Sequence, residues 1–121
     1  MVEGYKKLEV YQISYKLTLK IYEVAKKYPT DELYGLTSQI RRASMSIVLN
    51  IAEGYGRKDS ANEFKHFLRN ALGSCNETRA LVDMSKDLRY IDEAEYQLLK
   101  GEYEILSKKL YRLKENWKAS F

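Results

Sequence analysis

A stripe of polar side chains in the first half of the chain is the strongest candidate for a chemical site. Its members recur every three or four residues, which places them on one face of a helix: Gln39, Arg42, Ser46, Asn50 and Glu53. A carboxylate held near an amide and a guanidinium could act as a general acid or base in a cleft. The same residues could instead form a polar network that fixes the packing of helices or subunits.

The charged members of this stripe need partners outside it. Arg42 and Glu53 lie about three helical turns apart, too far for a direct pair on one helix. An ionised group that is buried without a partner is very costly, so a buried stripe requires partners on another helix. Glu77 and Arg79 are candidates for that role. We therefore favour a structural network over a catalytic cleft.

Two other positions could hold a metal ion or a nucleophile, and both have a simpler structural explanation. Glu63 and His66 have the Glu-x-x-His spacing of di-iron bundles, but such sites need a second copy, and His66 is the single histidine. Cys75 lies on the apolar face of a predicted helix, where a buried, unreactive thiol is expected. No glycine-rich phosphate loop is recognisable. We expect no enzymatic activity, no metal site and no cofactor.

The composition predicts one folded domain, residues 1–121. The chain has 121 residues, one proline, six glycines and one cysteine, and this length can bury its own core. A lone cysteine forms no internal disulfide. Residues 1–29 hold no apolar run typical of a signal peptide, and no segment is long enough to cross a bilayer. A cytoplasmic protein without a membrane role is expected.

Basic residues form three groups, two of which are candidates for contact with nucleic acid. The formal net charge is +4. One candidate group lies near the N-terminus and the other straddles a predicted turn: Lys6, Lys7, Lys16 and Lys20, then Arg57, Lys58, Lys65 and Arg69. The third group lies on the last predicted helix: Lys108, Lys109, Arg112 and Lys114. Charged runs on helices are usually solvated faces, but an assembly that repeats each group would multiply a weak affinity for phosphate. The eleven tyrosines could stack on unpaired bases, although packing is the simpler explanation.

Four helical segments must position these residues. Apolar periodicity and capping signals predict helices over about 8–28, 36–55, 60–89 and 93–117. Pro29 ends the first, glycines end the second, and Ser60 and Asp92 begin the third and fourth with capping-box spacing. Because short loops join long amphipathic helices, we predict an all-α, up-down-up-down antiparallel four-helix bundle. A swap of the second helix to a partner chain is the alternative.

The second predicted helix is apolar on two sides, which a single bundle does not require. One side has Leu36, Ile40, Ala43, Ile47, Ile51 and Gly54. The other has Met45, Leu49 and Ala52. A helix that is apolar on two sides is usually buried on two sides. We therefore predict that the second side forms an apolar subunit interface, with the polar stripe inside the bundle or in that interface.

Several short segments spread over nearly the whole chain are informative in combination. They are Leu8-Glu-Val-Tyr-Gln12, Tyr34-Gly-Leu-Thr-Ser-Gln-Ile-Arg-Arg-Ala43, Ser46-Ile47, Asn50-Ile-Ala-Glu-Gly-Tyr-Gly-Arg57, Phe67-Leu68, Ala71, Gly73-Ser74, Glu77 and Leu88-Arg-Tyr-Ile91. This combination resembles the four-helix-bundle family named after the 23S rRNA intervening sequence. The chain departs from it at Val48-Leu49, where the family often has Pro-Ala, and at Tyr11, where Trp is common.

The resemblance implies a compact bundle that assembles into a ring, typically a homopentamer. The family name records where some members are encoded, inside inserts in ribosomal RNA genes, and no activity. More distantly, the chain resembles the accessory variability determinant of diversity-generating retroelements, a basic pentameric barrel that binds nucleic acid and a reverse transcriptase. The expected partners are therefore further copies of this chain, RNA or DNA, or an unidentified protein.

Two functional hypotheses follow. The first is a non-enzymatic oligomeric scaffold with weak, sequence-independent binding to the backbone of RNA or DNA. The alternative is a protein–protein interaction module with no role in nucleic-acid binding.

Overall fold

Four long α-helices account for most of the chain. A computed structural model describes residues 4–118, and its helices are α1 (Glu9–Ala25), α2 (Leu36–Tyr55), α3 (Ala61–Asp87) and α4 (Glu93–Asn116). Short 3-10 turns precede α1 and α2. No strand occurs within residues 4–118, so the predicted all-α class is confirmed. None of these helices combines the length and apolar character that crossing a membrane requires.

The helices pack in chain order as an antiparallel four-helix bundle. α2 and α3 share the most extensive interface, while α1 and α4 meet more loosely. The first turns of α1 and α3 meet the last turns of α2 and α4 at one end, which we call the Trp117 end. The opposite end, where α1 stops and α4 starts, is the Tyr28 end. The predicted up-down-up-down architecture is confirmed.

The core is built from the apolar stripe that each helix turns inward. Its largest fully buried side chains are Ile21, Ile40, Ile47, Ile51, Phe64, Leu68, Leu99, Tyr103, Leu106 and Leu110. In α4 an apolar seam with heptad spacing is buried, and we call it the heptad seam: Tyr96, Leu99, Tyr103, Leu106 and Leu110. Burying a leucine-sized side chain contributes about 1.5–3 kcal/mol, so this seam is a main source of bundle stability.

Side-chain caps begin α3 and α4 at the predicted positions. The Ser60 hydroxyl accepts a hydrogen bond from the Glu63 amide at 3.2 Å. Asp92 and Glu95 form a complete capping box, in which each side chain accepts from the other residue's amide, at 2.7 and 3.2 Å.

The first helix is shorter than predicted. α1 ends at Ala25, three residues before the predicted end. Pro29 excludes helical geometry from the residue before it, and the chain tightens into a turn ahead of it.

The carboxylate of Glu32, four residues before Leu36, caps the start of α2. Its Oε2 accepts a hydrogen bond from the Tyr90 hydroxyl at 2.8 Å, and its Oε1 accepts one from the Leu36 amide at 3.1 Å. Both bonds stabilise the ionised form, so they hold the pKa of Glu32 below its ordinary value. Glu32 thereby ties the start of α2 to the link between α3 and α4.

Gly54 lets α2 and α3 approach closely near the Trp117 end. It is buried, and a β-carbon there would lie 2.6 Å from the Phe67 β-carbon and 3.0 Å from the Phe64 ring. Gly56, which follows α2, keeps an ordinary right-handed φ of −64°. From the sequence, both glycines were predicted to end the helix, but Gly54 is needed for packing.

Replacing Gly54 with alanine should therefore lower the free energy of unfolding by about 1–3 kcal/mol, because the added methyl group overpacks the α2–α3 contact. Gly73→Ala is the matched control, since a β-carbon at that exposed α3 position meets nothing within 4 Å. The control should gain stability from helix propensity, by at most about 1 kcal/mol. Urea denaturation measures both, and equal stability of the two variants would contradict this packing role.

The lowered pKa of Glu32 predicts a pH-dependent contribution to stability. A carboxyl with a depressed pKa stabilises the fold above its unfolded pKa, and the contribution is lost as pH falls through the folded pKa. The stability difference between the wild type and Glu32→Gln should therefore be constant near neutral pH and shrink below about pH 4. Denaturation midpoints at pH 7 and pH 3 test this. An unchanged difference would count against the cap.

Candidate functional site

The polar stripe of α2 lies along the groove between α2 and α3. Ser46 and Asn50 are half-buried, whereas Gln39, Arg42 and Glu53 are exposed. The neighbouring apolar side, from Leu36 to Gly54, is buried in the core as predicted. In the single chain the stripe is therefore a polar seam between two helices, open to solvent along one edge.

Hydrogen bonds join the middle of this seam to α3. The hydroxyls of Ser46 and Ser74 are 2.8 Å apart. The Asn50 amide donates to the Ser46 carbonyl at 2.8 Å and to its hydroxyl at 3.1 Å. These bonds satisfy the half-buried polar groups and fix the position of α2 along α3.

An ion pair crosses the same groove one turn earlier. Arg42 donates to the Glu77 carboxylate, the partner proposed from sequence, and to the Gln39 side-chain oxygen at 2.9 Å. The side chains of Arg42 and Glu77 are 52% and 42% exposed. Pairs this open to water contribute about 0.2–1 kcal/mol each, so this one contributes more to specificity of packing than to stability.

Glu53, the candidate acid or base, lies outside the seam's hydrogen-bond network. Its carboxylate is 58% exposed and 3.5 Å from Arg57, which also lies 3.4 Å from Glu63. The Arg79 pairing considered from sequence does not form. The residues around Glu53 are therefore arranged as a solvated surface ion pair.

The two other candidate chemical groups are placed as the structural explanation predicted. His66 is exposed, with its ring centroid 5.5 Å from that of Phe67. Cys75 is fully buried, its thiol donates to the Tyr103 carbonyl at 3.6 Å, and burial raises its pKa to about 11. Across residues 4–118 no three His, Cys, Asp or Glu side chains come together as a metal site.

Large apolar side chains of α1 and α2 form a patch that faces solvent. We call it the α1–α2 face, and its four most prominent residues are Tyr15, Leu19, Met45 and Leu49, which are 48%, 55%, 41% and 58% exposed. They border a shallow apolar groove that also includes Tyr11, Tyr22 and Val48. Ala52, the third residue of the predicted interface, is half-exposed. The second apolar side of α2 is thus available for contact with another molecule.

Basic residues that are distant in sequence converge at the Trp117 end. The ammonium groups of Lys7 and Lys58 lie 5.8 and 4.6 Å from the centre of the Tyr55 ring. That ring is itself buried and packs against Phe64 and Trp117. These lysines belong to separate groups in the sequence, and Tyr55 was not predicted as a site residue. The sequence places this aromatic residue between two glycines just before the second basic group, but no local pattern records that Lys7 reaches its ring.

The two ends of the bundle carry opposite charge. Segments 4–9, 53–69 and 112–118 hold nine basic and five acidic residues, whereas segments 23–33 and 83–95 hold four basic and eight acidic residues. Helices of about 20 residues separate the two ends by roughly 30 Å. The Trp117 end is therefore a positive surface, and the bundle has a charge asymmetry along its axis that can orient it toward a polyanion.

The structure brings together only part of the predicted basic set. The residues at the Trp117 end are Lys6, Lys7, Arg57, Lys58 and Lys65, whereas Arg69 lies about two turns into α3. Lys16 and Lys20 lie further along α1, roughly 14 Å or more from Lys7. Arg57 is engaged by two carboxylates, which reduces its contribution to the positive surface.

The chain is similar to a known protein family and to a protein of known structure. Residues 6–112 match the family described as 23S rRNA-intervening sequence protein. The crystal structure of a protein of unknown function from the S23 ribosomal protein family of Bacteroides thetaiotaomicron VPI-5482 is similar, with a TM-score of 0.80 and 23% identity. The similarity covers 88% of this chain and 96% of that one. No curated protein matches the chain.

The half-exposed geometry of the Arg42–Glu77 pair predicts a small coupling energy. A double-mutant cycle with Arg42→Ala and Glu77→Ala should give about 0.2–1 kcal/mol, and less in 1 M salt, because water screens the pair. Chemical denaturation of the four proteins measures it. A coupling above about 3 kcal/mol would be typical of a desolvated pair and would contradict this geometry.

Proposed function

The chain belongs to the 23S rRNA-intervening sequence protein family, and on that premise we propose that it is a cytoplasmic, non-enzymatic scaffold that assembles with copies of itself and binds nucleic acid. The binding is weak and directed at the phosphate backbone, so it is little affected by base sequence. The match over residues 6–112 confirms the resemblance noted from sequence. The proposal itself rests on the charge and the exposed surfaces of the bundle.

Unpaired cations at the Trp117 end are the observation that carries the nucleic-acid part. Within residues 4–118, ion pairs engage none of Lys6, Lys7, Lys58 and Lys65. Cations without a carboxylate partner keep their full charge for a phosphate. The ammonium groups of Lys7 and Lys58 also lie beside the same buried Tyr55 ring, so two chain segments contribute to one positive surface.

The exposed α1–α2 face supports the self-assembly part. Contiguous apolar patches on soluble proteins commonly mark interaction sites, and this patch includes the Met45 and Leu49 side chains predicted to contact a second copy. We propose that copies bury it in a ring, a pentamer as the resemblance implies. A ring repeats the Trp117 end in every subunit, which multiplies a weak phosphate affinity.

A second candidate function is a protein-interaction module with no nucleic-acid role. It is supported by Leu33 and Tyr34, which project near the Tyr28 end with 49% and 92% of their surface exposed. Exposed tyrosines are favoured anchors at protein interfaces. This alternative requires partner capture that survives nuclease treatment, without direct binding of RNA or DNA.

Reversing the charge of Lys7 and Lys58 should weaken nucleic-acid binding. Fluorescence anisotropy with a labelled 30-nucleotide RNA and its DNA counterpart measures the affinity between 20 and 300 mM salt. At 20 mM salt the Lys7→Glu, Lys58→Glu double variant should bind about ten-fold more weakly than the wild type. The wild-type affinity should fall steeply with salt, and the variant's log–log slope should be shallower by about 2, or about 1 for each lost phosphate contact.

The matched control reverses Lys26 and Lys27, which are exposed lysines at the opposite end of the bundle. The Lys26→Glu, Lys27→Glu variant has the same net charge as the double variant at the Trp117 end but should keep most of the wild-type affinity. Equal losses in both variants would show that net charge alone governs binding. Absence of wild-type binding at 20 mM salt would remove the nucleic-acid part and leave the interaction module.

A further inference from the structure

The outer face of α4 carries a second apolar stripe, distinct from the buried heptad seam. Its members are spaced by four, three and four residues: Ala94, Leu98, Gly101 and Ile105. Leu98 and Ile105 are 48% and 47% exposed. This is the spacing with which one helix packs along another, and we call the stripe the α4 face.

Gly101 has no packing role within the part of the chain that the structure describes. A β-carbon at this position would meet nothing within 4 Å, in contrast to Gly54, where it would overlap Phe67. Glycine inside a helix is less favourable than alanine, and no contact in the bundle explains it. Its place between Leu98 and Ile105 leaves a notch that lets large side chains from outside approach the helix backbone.

The α1–α2 face has the shape that complements this notch. Its four prominent side chains, Tyr15, Leu19, Met45 and Leu49, are large and project from the bundle, whereas the centre of the α4 face has no side chain at all. Large side chains set into a recess between two apolar neighbours reproduce the knob-and-hole packing of helix interfaces.

Charges of opposite sign lie beside the centres of the two faces. Lys16 and Lys20 follow Tyr15 and Leu19 on the exposed side of α1, and Glu102 and Glu104 flank the notch on α4. In residues 4–118 none of these four forms an ion pair. Attraction between these lysines and glutamates favours docking of one face on the other and fixes its orientation.

We propose that the α1–α2 face of one copy docks onto the α4 face of a second copy. This inference rests on the self-assembly part of the proposed function and identifies its two surfaces. The faces are different and lie on neighbouring sides of the bundle, so the contact is heterologous. Each copy then uses one face for each neighbour, and such contacts generate a closed ring when the rotation between copies permits. Lys16 and Lys20 take part in subunit contact, separately from the Trp117 end.

Gly101→Gln tests the α4 face, with Gly73→Gln as its matched control. Both glycines lie inside helices where a β-carbon meets nothing within 4 Å, so both variants should fold at least as stably as the wild type. Sedimentation equilibrium should show association at least ten-fold weaker for Gly101→Gln, because the new side chain fills the notch. Gly73→Gln, on the outer side of α3, should assemble as the wild type does.

The Leu49→Lys variant shows whether a negative result for Gly101→Gln concerns the α4 face alone or self-assembly as a whole. If Leu49→Lys dissociates the assembly and Gly101→Gln does not, the α4 face is not the docking surface, and the proposed function stands. If the wild type is a monomer throughout the concentration range, both the inference and the self-assembly part are overturned.

Cross-linking tests which face meets which. Leu49→Cys and Ile105→Cys chains, treated with a short bismaleimide, should cross-link when mixed and not when either is alone, and the buried Cys75 should not react. Cross-linking of Leu49→Cys chains to one another would indicate a two-fold contact between identical faces and would overturn the heterologous arrangement.

Discussion

The apolar surface of α2 exceeds what one four-helix core can bury. The packing of α2 on α3 decides which apolar side of α2 is buried in the core and which remains exposed. Ile40, Ile47 and Ile51 are at most 1% exposed, yet Met45 and Leu49 on the same helix are 41% and 58% exposed. The polar seam with α3 and the close contact at Gly54 hold α2 in a single orientation. That orientation keeps the second apolar side outside the bundle. Covering it with another copy removes apolar surface from water, which is the principal driving force for association.

The antiparallel topology accounts for the distribution of charge. Successive helices reverse direction, so the segment before α1 and the link between α2 and α3 arrive at the same end of the bundle. The ammonium groups of Lys7 and Lys58, which are 51 positions apart in the sequence, therefore lie 5.8 and 4.6 Å from the centre of the same Tyr55 ring. The opposite end collects the acidic links after α1 and α3. A modest net charge of +4 is in this way concentrated into a positive surface that can select a polyanion.

Local patterns in the sequence were enough to predict the four helices, the two apolar sides of α2 and the capping box at Asp92. These features depend on periodicity and on residues three or four positions apart. Glu77 and Arg79 were named as candidate partners for the charged residues of the stripe, because a buried charge needs a partner. Of these two, Glu77 pairs with Arg42. The Glu32–Tyr90 cap, the packing of Gly54 on Phe67 and the meeting of two lysines at Tyr55 were missed. Each depends on where distant segments meet in three dimensions, and no short-range pattern records that.

Methionine oxidation measures whether a second copy covers the exposed side of α2. Met45 on that side and Met84 on α3 are similarly exposed in the single chain, at 41% and 50%. Peptide mass spectrometry after brief treatment with hydrogen peroxide reports the oxidation rate of each. If a second copy covers α2, Met45 should be oxidised several-fold more slowly than Met84 at high protein concentration and should lose this protection on dilution. Equal rates at every concentration would contradict it.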